Sequence, residues 1–394
     1  MRSRTWLLLG ETLAAVGLAT LVQAGNSTDG TSRLRVPNFC SSRYGFCGNG
    51  GEYCAQGCNP LFSYDVNSCY PLPVCKSKTY TFGTHGNARI AKKEAYQKVD
   101  PRYVDFTIDT GEVEYAPDGV VLTLKSDKIG AKITSTRAMH YGKVTFEMQT
   151  AWSGGVVTAA VLMGDTTEEA DIEFTGNALK AFQSNLFYDY VADSTTHVLG
   201  VDTSKGFANY SMNWSQDQIQ WTYSKNSAER VLRSTTSANK HIPALPMYVQ
   251  MSIWPGGEAA APGTVKWAGG KINWNDARFK QAGGQFQFII KSVTIECGDD
   301  HPFDYAYKYI RNNETNNKLS FKAVKLEGYG VSQVPTPVLQ VQPGANVNVR
   351  PAYEQAQQPE DASSAAPNGP SRLPSSVAAE KQSAAGSQVS PAAS

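Results

Sequence analysis

Three acidic residues recur at alternate positions in Glu169-Ala170-Asp171-Ile172-Glu173-Phe174. Side chains alternate faces along a strand, so Glu169, Asp171 and Glu173 share one face while Ala170, Ile172 and Phe174 share the other. The run just before, Gly155-Val156-Val157-Thr158-Ala159-Ala160-Val161-Leu162-Met163, reads as a buried strand. The pattern therefore sets three carboxyls on one face of a well-packed sheet. Neighbouring carboxylates repel, and one of them is pushed to keep its proton. A proton-bearing carboxyl beside an ionised one is the pair that glycoside cleavage uses. The alternative is a solvated acidic face, since alternating polar residues are ordinary on a half-exposed sheet.

The spacing suits that chemistry. The backbones of Glu169 and Glu173 stand about 13 Å apart in an extended strand. Inward-leaning side chains close much of the gap, towards the roughly 5–5.5 Å of retaining enzymes. Gln183 and Asn185 share a face on the next strand and can reach the same cleft. Trp254 and Trp267 sit beside Gly-rich segments and offer flat surfaces for sugar rings, with core packing as the competing role.

The elements that must hold these groups read as short strands. Tyr103–Ile108, Val120–Leu124 and Lys143–Met148 alternate apolar and polar residues. Pro117-Asp118-Gly119 and Ser153-Gly154-Gly155 punctuate them as turns. More than two hundred residues of this kind fit an all-β sandwich.

The acidic run resembles the Glu-Ile-Asp-x-Glu signature of glycoside hydrolase family 16, with Ala170 at the Ile position. Tyr141-Gly142-Lys143-Val144, Gln183–Phe187, Ile253–Gly257, Pro262–Gly270 and Val293–Cys297 extend the match, in order, to the Crh-type fungal cell-wall transglycosylases. The resemblance covers roughly residues 40–310. It implies a β-jelly roll with a substrate groove across its concave sheet. It also implies Glu169 as nucleophile, Glu173 as general acid/base and Asp171 as the residue that orients and tunes the nucleophile. Many relatives carry a His before a strand ending in Asp-Trp; here Ala208 and Asn213 stand at those positions. The implied activity is transfer of chitin fragments to β-glucan or chitin, remodelling a cell wall. Hydrolysis by the same residues, as a β-glucanase or chitinase, is the alternative, and a non-catalytic wall lectin is a third.

Six of the seven cysteines, Cys40, Cys47, Cys54, Cys58, Cys69 and Cys75, cluster before the sandwich. In a secreted chain such a cluster reads as a disulfide knot whose pairing stays open. Cys297 is either buried and free or joined to one of the six, leaving another odd. Cys40–Gly48 and Glu52–Cys54 resemble a hevein-like chitin-binding module. That resemblance implies Ser42, Tyr44, Phe46 and Tyr53 as sugar contacts; a purely structural cap is the alternative. One disulfide of that module is missing, since Ser41 stands where a second cysteine follows the first.

The expected organisation is a signal peptide at 1–24, the cysteine-rich module at 37–75, the catalytic sandwich at 76–310 and a tail at 325–394. Arg2 and Arg4 before an apolar run, then Val22-Gln23-Ala24, form the secretory pattern. The tail is rich in Pro, Ala, Ser and Gln and reads as disordered. It ends without the hydrophobic segment of a lipid anchor, so the expectation is a secreted or wall-trapped form, or a truncated sequence. Asn313 is the favoured glycosylation acceptor, since Asn209 and Asn213 fall inside a strand. The five histidines lack metal spacing, and neither a metal nor a cofactor is expected. A net charge of +1 with no basic block argues against nucleic acid, the apolar stretch argues against a transmembrane span, and a monomer is expected.

Overall fold

The computed structural model describes residues 22–23 and 39–326, apart from 43–45, 94–102, 167, 189–190, 227, 300, 303 and 313–317. Most of the expected signal segment, Tyr44, Asn313 and the residues from 327 onward lie outside the described residues.

Two eight-stranded sheets stack face to face as a β-jelly-roll sandwich. The front sheet runs, in spatial order, Val191–Val198, Ala181–Tyr188, Glu169–Gly176, Ser153–Gly164, Met247–Trp254, Lys132–Met139, Phe106–Thr110 and Ile90–Lys92. Its pairs are antiparallel except the last, where Ile90–Lys92 runs parallel to Phe106–Thr110. The back sheet runs Arg230–Thr236, Gln218–Ser224, Ala208–Trp214, Gly142–Gln149, Gln285–Cys297, Gly119–Lys125 and Val113–Ala116, with Lys78–Thr81 also paired to Gln285–Cys297.

The alternation dictates the core. Ala170, Ile172 and Phe174 turn inward and meet Val144, Phe146, Met148, Tyr210 and Met212 of the back sheet in one apolar cluster. Burying such side chains contributes about 1.5–3 kcal/mol each. A one-residue slip of the acidic strand would send its carboxyls into this core, so packing pins the register.

The cysteine-rich segment packs on the Glu169 end of the front sheet. Cys40, Cys54, Cys58, Cys69, Leu72 and Val74 form a second cluster with Ala138 and Tyr248 of that sheet and with Tyr307 and Tyr309. The two tyrosines belong to a hairpin, Tyr305–Asn312 with Lys318–Lys325, whose first strand also pairs with Leu72–Pro73. This hairpin runs past residue 310, where the sequence reading ended the sandwich. The alternation in Tyr305-Ala306-Tyr307-Lys308-Tyr309 was its available signal.

The disulfides are Cys40–Cys54, Cys58–Cys69 and Cys75–Cys297. Of the two fates open to Cys297, the bond to the cluster is the one observed. It corrects the expected six-cysteine knot: Cys47 is buried but takes part in none of these three bonds. Partner choice follows geometry, because Cys75 and Cys297 sit on segments that the back sheet has already brought together, and the amide of Cys297 donates to Ser77 Oγ at 3.0 Å.

Candidate functional site

The acidic strand lies third from one edge of the front sheet and is paired on both sides. Glu169, Asp171 and Glu173 occupy its outward face. Direct register sets Glu169 between Met163 and Phe187, Asp171 between Val161 and Asn185, and Glu173 between Ala159 and Gln183. Glu168, just before the strand, meets His241 Nε2 through Oε1 at 2.8 Å.

The three site carboxyls have different surroundings. Glu169 and Glu173 are half-buried, while Asp171 is 1% exposed. Asn185 Nδ2 donates to Asp171 Oδ2 at 2.9 Å. A buried carboxylate needs such donors, and each one favours its ionised form. Behind the strand, the indole Nε1 of Trp221, fully buried in the core, donates to the main-chain carbonyl of Asp171 at 2.9 Å. Arg233 packs on the Trp221 ring at 4.7 Å and donates to the carbonyls of Ser184 and Asp193. Burial holds its guanidinium below the ordinary arginine range, against the opposing pull of Asp193 and Asp171. A cation thus stands on the core side of the acidic strand. Sequence reading missed Trp221 and Arg233, because each sits on a distant strand of the other sheet and no local pattern connects them to Asp171.

Gln183 and Asn185 lie half-buried on the same face of Ala181–Tyr188, directly opposite Glu173 and Asp171. Trp254 ends the Met247–Trp254 strand, and Trp267 ends the short helix Pro262–Trp267. Their rings stack with centroids 5.9 Å apart and planes 23° apart. Trp267 Nε1 donates to Gln183 Oε1 at 2.9 Å, which brings its ring to the Glu173 end of the acidic strand. Both rings are half-buried, outside the apolar core cluster. Glycines make this approach possible. A Cβ on Gly257 would stand 2.4 Å from the carbonyl oxygen of Gly270, and Gly269 holds φ +91° against Asn177. Gly155 N donates to the carbonyl of Ala268 at 2.7 Å and ties the helix end to the sheet.

Ser252 and Gln250 also line this face, in register with Ala159 and Val161. The alternation of Tyr248, Gln250, Ser252 and Trp254 with Val249, Met251 and Ile253 was a legible signal for them. Ala208 and Asn213, the two departures from the family pattern, lie on the back sheet, away from the carboxyls. In the cysteine-rich segment, Phe46 is 53% exposed, Ser42 Oγ accepts from its amide at 3.3 Å, and Tyr53 is half-buried with its ring over Gly48.

Comparison with known proteins agrees with the architecture. The model of glycosyl hydrolases family 16 matches residues 101–275. The chain is 32% identical over 292 residues to Crh-like protein 3 of Botryotinia fuckeliana, covering 72% of this chain and 64% of that protein. It is 31% identical to Congo red hypersensitive protein 2 of Saccharomyces cerevisiae, over 74% of this chain and 65% of that protein. It is 30% identical to the probable glycosidase CRR1 of the same yeast, over 65% of this chain and 73% of that protein. The chain thus spans slightly under two thirds of the first two relatives. Among solved structures, the Crh5 transglycosylase in complex with NAG superposes with a TM-score of 0.51 at 23% identity, covering 67% of this chain and all of that one, a likeness of fold. The acidic strand, the sandwich that carries it and these relatives together make the chain a member of glycosyl hydrolases family 16, among the Crh-like proteins.

Proposed function

We propose that this protein is a retaining transglycosylase that cleaves chitin and passes the fragment to β-glucan or chitin in the cell wall. The observation that carries the reading is the strand itself. Glu169, Asp171 and Glu173 share the outward face, and the middle carboxyl is buried and held by Asn185.

In this mechanism Glu173 gives its proton to the glycosidic oxygen as the bond to the anomeric carbon breaks. The Glu169 carboxylate attacks that carbon and forms a glycosyl ester, and the shortened chain leaves as an alcohol. Glu173, now ionised, takes the proton from an acceptor hydroxyl. The hydroxyl oxygen attacks the anomeric carbon and Glu169 departs as carboxylate. Asp171 orients Glu169 from between the two. Trp254 and Trp267 stack on sugar rings, and Gln183 and Asn185 hydrogen-bond them. Chain and acceptor are neutral polymers, which fits a groove of half-buried polar and aromatic groups.

The domain division follows from this reading: residues 37–75 as the cysteine-rich module, the sandwich as catalytic domain, and chitin contact by Ser42, Tyr44, Phe46 and Tyr53. Secretion into the wall fits the disulfides, and no helix of the described residues is long and apolar enough to cross a membrane.

The test incubates the purified protein with a defined chitin oligosaccharide, with and without a fluorescent β-glucan oligosaccharide, and sizes the products. Longer or hybrid labelled products that vanish in Glu169→Gln are the expected result. Shortened products alone would make it a hydrolase. No product in either arm would leave a binding protein.

A further inference from the structure

The outward face of the front sheet continues well beyond the carboxyls. Direct register places Gln183, Glu173, Ala159, Ser252 and Lys132 in one row across five strands. At about 4.8 Å per strand, Glu173 and Lys132 stand about 14 Å apart along it. Between them lie only the short side chains of Ala159 and Ser252, so the floor there is low. A second row runs beside it through Asn185, Asp171, Val161, Gln250 and Thr134.

The far end of the first row is charged and braced. Lys132 Nζ lies 3.7 Å from Asp109 Oδ2, with the lysine side chain 25% exposed and the aspartate 7%. Asp109 Oδ2 also accepts from Thr134 Oγ1 at 2.7 Å, and Thr107 Oγ1 reaches Oδ1 at 2.8 Å. An ammonium donor and a carboxylate acceptor therefore stand side by side at one end of a low polar floor. That is a pairing suited to the hydroxyls of a neutral sugar ring, which both donate and accept.

The cysteine-rich segment, packed towards the Glu169 end of the sheet, reaches Thr107 and Ser135 next to this charged pair. Gln56 Nε2 donates to the carbonyl of Ser135 at 2.5 Å, and its Oε1 lies 3.2 Å from Thr107 Oγ1. Gly57 N donates to Asp165 Oδ1 at 3.0 Å, while Tyr309 OH donates to Asp165 Oδ2 at 3.2 Å. Gln56 and Asp165 are buried. Cys54 and Cys58 bracket the turn, and each is disulfide-bonded within the segment. A turn braced by two disulfides and docked through buried polar contacts does not swing as a tethered module would.

We propose that Lys132, supported by Asp109, is a remote sugar-contacting group three strands from Glu173, and that the Gln56–Gly57 turn is a fixed wall of the same groove. The ligand class is a neutral β-linked polysaccharide chain long enough to run from Glu173 to Lys132. The proposal rests on the reading that cleavage occurs at Glu169 and Glu173. It makes the cysteine-rich segment part of the groove, with Gln56 as a positioning residue.

The experiment measures binding, by titration calorimetry, of chitin and β-glucan oligosaccharides of increasing length to the full chain carrying Glu169→Gln. Affinity is expected to rise with length. Adding Lys132→Ala is expected to cut affinity for the longest ligands roughly tenfold, with the loss shrinking as the ligand shortens. Adding Gln56→Ala, with folding monitored by thermal melting, is expected to weaken the same length dependence. A loss equal at every length, or none, overturns the role of Lys132. An unchanged length dependence in a folded Gln56→Ala protein overturns the wall. Binding with the expected length dependence, while the native protein makes no product, leaves the subsite standing and removes the proposed reaction. No binding of either ladder removes both.

Discussion

Asn185 Nδ2 donates to Asp171 Oδ2 at 2.9 Å from the directly opposed position on the neighbouring strand. The pair ties a buried carboxyl to a groove residue. Removing the amide leaves that buried oxygen without this donor. Asn185→Ala is expected to lower turnover about tenfold, with KM moved less. A rise in KM with turnover unchanged would mean that Asn185 serves only to hold substrate.

Glu173→Gln and Glu169→Gln should fail in different ways. Each is expected to lose on the order of 10²–10⁴-fold in rate on chitin oligosaccharides. A substrate whose leaving group departs without protonation should recover the bond-breaking step in Glu173→Gln only. Mass spectrometry should find the glycosyl ester accumulating in that variant and absent from Glu169→Gln. Equal recovery in both would reverse or dissolve the assignment of roles.

Trp267 presents two separable contributions, its ring beside Trp254 and its Nε1–H on Gln183. Trp267→Phe keeps an aromatic face and loses the hydrogen bond, for an expected KM increase of a few-fold. Trp267→Ala loses both, and the increase should exceed tenfold. Identical kinetics for the two variants would show that the ring contributes nothing to sugar binding.

The Cys75–Cys297 bond spans 222 residues of sequence. Cross-links across long loops restrict the unfolded chain most. Replacing both cysteines by serine is expected to lower the unfolding free energy by about 2–4 kcal/mol in denaturant titration, with the fold retained. An unchanged midpoint would mean that strand pairing alone holds this corner.

His197 is buried, its Nε2 2.8 Å from Ser184 Oγ, with Arg233 nearby. Burial, helped by the Arg233 charge, lowers its pKa from the ordinary 6.5. Between the folded and unfolded values the unfolded chain binds a proton that the native state refuses, so stability rises with pH there. His140 carries the same sign, lowered by burial against the pull of Asp299. Stability should be full above about pH 6.5 and fall below it. His197→Gln should flatten part of that slope in melts run across this window. An unchanged slope would place the acid sensitivity elsewhere.

The alternation of acidic and apolar residues in 169–174 was enough to place three carboxyls on one face and three apolar groups in the core, because strand geometry allows nothing else. The same local rule brought Gln183 and Asn185 beside them and gave the all-β class. The residues that complete the site obey no local rule. Trp221 and Arg233 reach the acidic strand across the sandwich, and Trp267 reaches Gln183 from a helix 84 residues away in sequence. The cysteine partners were open for the same reason: a disulfide is chosen by which segments the sheets bring close, so Cys75 found Cys297 while Cys47 stayed outside the three bonds. By itself the sequence determined periodicity, and with it the faces of strands and the chemistry they display. Only the tertiary structure decided which distant strands lie side by side, because that depends on how two sheets bury a shared core.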